Sequence, residues 1–106
     1  MPEIRQNSDL VTYITTINVD PDNQSELLNL MTTRARFMAT QPGFVSINLH
    51  RSQDNSHIVN YVQWENRDQL EAAHRAPAFR DTETLFNRLI GDVESDFYDL
   101  VLIEEK

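Results

Sequence analysis

Cysteine is absent from this 106-residue chain, and glycine, proline and tryptophan are scarce, at two, four and one residues. Without cysteine there is no disulfide, no thiolate metal site and no thiol nucleophile, and the chain suits a reducing compartment. So little glycine and proline leaves no flexible linker and no low-complexity tract. The opening stretch MPEIRQNSDL holds no long apolar run, so we expect neither a signal peptide nor a spanning helix, and a cytoplasmic protein. Positive charge is also short: nine basic against seventeen acidic residues give a formal net charge of −8. That balance opposes phosphate backbones and anionic lipid, so neither nucleic acid nor membrane is an expected partner.

What is present is a 40% apolar chain sized for one domain spanning residues 1–106. A chain this short buries a modest share of its surface, which favours a second copy covering the rest. Leu10 to Val19 is rich in β-branched residues, with the more apolar side at Val11, Tyr13, Thr15, Ile17 and Val19. Asp20-Pro21-Asp22 then supplies a cap, a proline and an early negative charge for a helix. That helix carries Leu27, Leu30, Met31, Arg34, Ala35 and Met38 on one stripe and stops at Gln41-Pro42-Gly43. Phe44 to Arg51 alternates as a second strand, Ser52 to Ser56 is turn chemistry, and His57 to Glu65 returns as a third strand. Asn66 with Gln69 opens a helix that places Leu70 and His74 on one face, and Pro77 breaks it. A further helical piece carries Phe79, Phe86, Leu89 and Ile90 and ends at Gly91, and Phe97 to Ile103 reads as the last strand. The order β-α-β-β-α-β predicts an α+β, ferredoxin-like fold with helices on one face of a four-stranded antiparallel sheet. The other face, with Ser46, Asn48, His50, Val59, Tyr61 and Gln63, is left for a homodimer partner.

Period-two alternation puts Asn60 on the same side of its strand as Ile58, Val62 and Trp64. If Asp54 and Asn55 are the central turn residues, Leu49 lies opposite Asn60 and Val45 opposite Trp64. An amide among aliphatics costs roughly 1–3 kcal/mol when unpaired, so Asn60 needs a partner or borders a cavity that contains one. Either Asn60 bonds a neighbour and Trp64 is the largest core residue, or both line a pocket between sheet and helices. Tyr13, on the same side of the first strand, can donate a hydrogen bond into that space. Arg34 either snorkels its head to water or attracts an anionic ligand. His50 and His57 lack a third ligand at suitable spacing, so no metal site is read.

QPGFVS at 41–46 and NYVQWE at 60–65, in a chain of this length and element order, resemble the antibiotic biosynthesis monooxygenase family. The resemblance implies a dimeric α+β barrel, two ferredoxin-like subunits joined through their sheets. It also implies a monooxygenase that acts on a phenolic, quinol or anthrone-type substrate with O2 and no cofactor, neither metal nor flavin. In the family's anthrone oxygenases the Asn and Trp of the second motif line the substrate cavity, which carries over to Asn60 and Trp64 as substrate-binding residues. Those enzymes place a tyrosine in the following helix where this chain has Leu70, so Leu70 is assigned to the substrate wall. Tyr13 joins that wall, and His74, whose ordinary pKa near 6.5 suits proton transfer, is the expected proton acceptor. The competing reading is a non-catalytic small-ligand-binding or stress-related barrel dimer. Haem degradation, found in a related barrel family, relies on a histidine late in the second helical region, and residues 79–86 contain none.

Overall fold

A computed structural model describes residues 10–106. The stretch read above for a signal peptide lies, but for Leu10, outside the described residues. The β-branched run forms β1 (Val11–Val19), and the Asp20 carboxylate accepts from the backbone N–H of Asp22 at 2.9 Å, capping a 3-10 turn at Pro21–Asn23. Helix α1 (Gln24–Met38) follows and buries Leu27, Met31, Arg34 and Met38, positions spaced three and four apart. Strands β2 (Phe44–Arg51) and β3 (His57–Trp64) form the expected hairpin, in which Asn55 takes the left-handed conformation at φ 65°. The Ser52 N–H donates to His57 O and the Asn55 N–H to Ser52 O, which fixes the register and sets Leu49 opposite Asn60. The register does not run unbroken to the strand end. Val45 is the extra residue of a bulge, so Phe44, not Val45, lies opposite Trp64.

Helix α2 (Arg67–Arg75) is capped by the Asn66 side chain, which accepts from the Gln69 N–H at 2.9 Å. Ala76, ahead of a proline, is extended, and Pro77 opens the short α3 (Pro77–Arg80). Helix α4 (Glu83–Leu89) gives way directly to β4 (Ile90–Tyr98). This corrects two expectations: Ile90 and Gly91 belong to a strand, and the last strand lies at 90–98, with only Phe97 and Tyr98 shared with the run 97–103. The reason is that β4 is an exposed edge strand. Asp92, Glu94 and Asp96 alternate with Val93, Ser95 and Phe97, a pattern with too little apolar content to read as a strand, whereas the apolar run beyond residue 98 forms no strand pair among the described residues.

The sheet order is β2-β3-β1-β4, every pair antiparallel, with the helices packed on one face: an α+β, ferredoxin-like fold. On the opposite face Ser46 and Gln63 are already buried within the chain, where the Gln63 amide donates to Thr12 Oγ1 at 3.2 Å. Of the polar face read from sequence, Asn48, His50, Val59 and Tyr61 retain exposure. Among the described residues no helix is long and apolar enough to cross a membrane.

Candidate active site

Antiparallel register lines up side chains in rows across the helix-facing side of the sheet. One row is polar: Ser95 of β4 pairs with Thr15 of β1, which pairs with Asn60 of β3. The Thr15 and Ser95 hydroxyls are 2.9 Å apart and bond each other. The rows on either side are apolar, with Val93, Ile17 and Ile58 on one flank and Phe97, Tyr13, Val62 and Ile47 on the other. The core divides at the polar row. Ile17, Val19, Leu27, Met31, Ile58 and Leu89 form one cluster, and Met38, Val62, Trp64, Leu70 and Ala73 the other.

A cavity of about 280 Å³ occupies the seam between the two clusters. Its buried wall includes Ile17, Met31, Arg34, Met38 and Val62, and its exposed rim is Glu83, Asn87, Val93 and Ser95. A sealed void of that size would cost about 7 kcal/mol at about 24 cal/mol per Å³, comparable to the whole stability of a small domain. Open to solvent at its rim, the space can hold water or a ligand and need not bear that cost. A cavity near 150 Å³ holds one benzene ring, so this one accommodates a bicyclic to tricyclic aromatic.

Three of the expected site residues converge on it: Asn60 and Tyr13 from the sheet and His74 from α2. Asn60 Oδ1 is buried and has no hydrogen-bond partner among the described residues. The His74 ring stacks on Phe79 at 4.7 Å and meets the edge of Tyr13 at 6.2 Å. Burial among these rings lowers its pKa below the ordinary 6.5, the Arg34 charge adds to the shift, and Glu71 and Glu83 oppose it. His74 is therefore neutral at neutral pH, the state a proton acceptor needs.

Trp64 and Leu70 do not line the cavity. Trp64 is fully buried in the second cluster with its ring edge-on to Phe44 at 5.5 Å, and Leu70 packs beside it. The bulge at Val45 contributes to this, because it brings Phe44 onto the helix-facing side beside the indole. The indole Nε1 is buried without a partner among the described residues.

Arg34 does not snorkel. It is 8% exposed, its Nε is buried without a partner among the described residues, and its guanidinium lies 3.7 Å from the Phe79 ring centroid and 4.5 Å from that of Phe86. Burial lowers its pKa to about 10 against the opposing pull of Glu83, so it stays charged at neutral pH. Thr15 and Ser95 were not recognised from sequence. Thr15 reads as one more β-branched strand residue, and Ser95 falls in a strand whose alternating acids were the only signal. Among the described residues no cluster of three or more His, Asp or Glu is placed to hold a metal.

The chain is thus an α+β, ferredoxin-like domain whose sheet floors a half-open cavity with polar groups. Residues 10–85 match the antibiotic biosynthesis monooxygenase family, and the chain belongs to it. It is 35% identical over 78 residues to tetracenomycin-F1 monooxygenase of Streptomyces glaucescens, a match covering 73% of this chain and 70% of the relative. Among solved structures it resembles SnoaB, a cofactor-independent oxygenase from Streptomyces nogalater, with TM-score 0.81 and 25% identity over 93% of this chain and 100% of the other. A conserved protein from Methanosarcina mazei shares the fold at TM-score 0.78 and 14% identity, over 85% of this chain and 91% of that one.

Proposed function

We propose that this chain is a monooxygenase that oxidises a phenolic, quinol or anthrone-type aromatic with O2 in the cavity above Asn60, without a cofactor. The observation that carries the reading is the meeting on one cavity of a neutral His74 and an Asn60 whose buried Oδ1 has no hydrogen-bond partner among the described residues. Tetracenomycin-F1 monooxygenase and the cofactor-independent oxygenase SnoaB support the reaction type.

The chemistry balances from substrate and O2 alone. His74 removes a proton from an activated carbon or its enol, and the anion passes one electron to O2, giving a carbon radical and superoxide. These combine in a new C–O bond, and the peroxide takes the proton back from His74. Loss of water, with the second hydrogen leaving the same carbon, yields a carbonyl and completes a quinone. The protein contributes position, exclusion of water and the proton transfers. Asn60 holds a substrate oxygen, and Tyr13 contributes a ring and a donor to the wall beside His74.

We also infer a homodimer formed through the open sheet face. Val59 and Tyr61 are half-buried there, and Tyr98, Val101 and Leu102, 52%, 90% and 69% exposed, supply further apolar surface for a second copy. A partner so placed completes an α+β barrel.

Oxygen uptake with a panel of anthrones and hydroquinones tests the reaction, together with incorporation of one ¹⁸O atom into the product. We expect one O2 consumed per substrate. Bound aromatic with no turnover above the uncatalysed rate would instead make the chain a non-catalytic ligand-binding member of the family.

A further inference from the structure

Arg34 is not used by the reaction sequence above, and its surroundings are unusual. A buried cation is ordinarily paired with a carboxylate, because leaving it alone costs several kcal/mol. Here the guanidinium has two aromatic rings and no ion pair or hydrogen bond among the described residues. Glu83 is near enough to favour its charge but stays at the exposed rim. Cation–π contacts offset part of the desolvation and satisfy none of the N–H donors. The head lines the same cavity as Asn60 and His74.

We propose that Arg34 is the anion anchor of the cavity, binding an ionised oxygen on an aromatic ligand, so that the substrate class is one held as an oxyanion conjugated to its ring system. This rests on the cavity being the substrate site, and deepens that reading. The position fits the chemistry. The cavity offers a fixed positive charge at its buried wall, beside the neutral His74 that takes a proton. The Asn60–Thr15–Ser95 row across the floor offers uncharged polar groups for the ligand's other oxygens. A phenol that gives its proton to His74 leaves its negative charge where Arg34 stabilises it. The planar head resting on Phe79 and Phe86 is also pre-oriented, so little entropy is lost when it is bound.

The probe is 2-hydroxy-1,4-naphthoquinone, an anion at neutral pH, compared by calorimetry with its uncharged methyl ether. A charge-assisted bond inside a water-poor cavity predicts that the parent prefers the anion by about tenfold or more. In Arg34→Gln the preference falls to about one, with ether affinity unchanged, and Arg34→Lys retains part of it. Arg34→Met, which keeps the apolar stem and removes the charge, repeats the loss in a second folded background. 1-Naphthoate against its methyl ester distinguishes the source of the charge. An Arg34-dependent advantage shared by naphthoate points to carboxylate ligands, and one confined to the hydroxyquinone points to phenolates and enolates; both outcomes support an anion anchor. Folded Arg34→Gln and Arg34→Met variants that keep the parent's preference would overturn it. Oxygen uptake by the parent separates the two readings: turnover with an unaltered preference in these variants removes the anchor and leaves the oxygenase standing.

Discussion

Replacing Asn60 with leucine separates the site from the fold. Leucine matches asparagine in number of side-chain heavy atoms and in branching at Cγ, while Asn60 Oδ1 is buried with no partner among the described residues, between Thr15 on β1 and Leu49 on β2. An unpaired buried acceptor costs about 1–3 kcal/mol, and the leucine side chain adds apolar contacts to Leu49 and Val62. Against this stands the greater volume of two methyl groups at a position shaped for a planar amide, with an overpacking cost of about 1 kcal/mol or more. The sum is a variant no less stable than the parent and more stable by up to about 2 kcal/mol. For a domain of this size, each 1 kcal/mol moves Tm by roughly 4–8 °C. Urea unfolding at one fixed protein concentration reads this directly, and a concentration series removes any contribution from dimer dissociation. In the same variant, kcat/KM with a quinol or anthrone substrate is expected to fall by about tenfold or more, the loss of one hydrogen bond to a substrate oxygen. A loss of more than 1 kcal/mol in stability would refute the reasoning, because it would mean that the amide holds the sheet together. Unchanged turnover would remove Asn60 from the site.

Further outcomes are expected around His74, Gly43 and Trp64. His74→Gln should lower kcat by about 10²–10⁴-fold. The parent's kcat/KM should stay flat through neutrality and fall only as pH drops below the ordinary histidine range, since the neutral ring is the active form and its pKa is lowered; the groups facing it are Arg34 from α1, Tyr13 from β1, Glu71 on its own helix and Glu83 from α4. Arg34→Gln removes one lowering influence and should move that acid limb upward, which a pH–rate profile checks. Gly43→Ala should destabilise by about 2 kcal/mol or more, because φ is +84° and an added Cβ would collide with the Gln69 side-chain amide and lie 2.8 Å from Gln69 Cβ. Adding Gln69→Ala relieves the contact with the amide end and not the backbone strain, so thermal melts should show partial recovery. Trp64→Phe should change ligand Kd by less than about twofold while altering the unfolding midpoint, since the indole packs in the core and not on the cavity; a tenfold loss of affinity would place the indole back at the site.

Much of this protein is set by local rules that a single chain displays. Period-two alternation placed Tyr13, Thr15, Asn60 and Trp64 on the helix-facing side, and turn chemistry at Asp54-Asn55 set Leu49 opposite Asn60. Capping by Asp20 and Asn66 and the helical spacing from Leu27 to Met38 positioned the helices, because these signals depend on neighbours a few residues apart. Long-range packing decided the rest. The bulge at Val45 exchanged Phe44 for Val45 beside Trp64, a one-residue change that no periodicity announces. Strand β4 was hidden because an edge strand open to water needs few apolar residues, and with it was hidden Ser95, the partner of Thr15. Whether Arg34 reached water or turned inward depended on where Phe79 and Phe86, more than forty residues away in sequence, came to rest. Alternation and spacing thus determined which face each residue occupies. Only the tertiary structure decided which of those residues share a cavity, because that depends on how two apolar clusters close over a polar row that neither can bury.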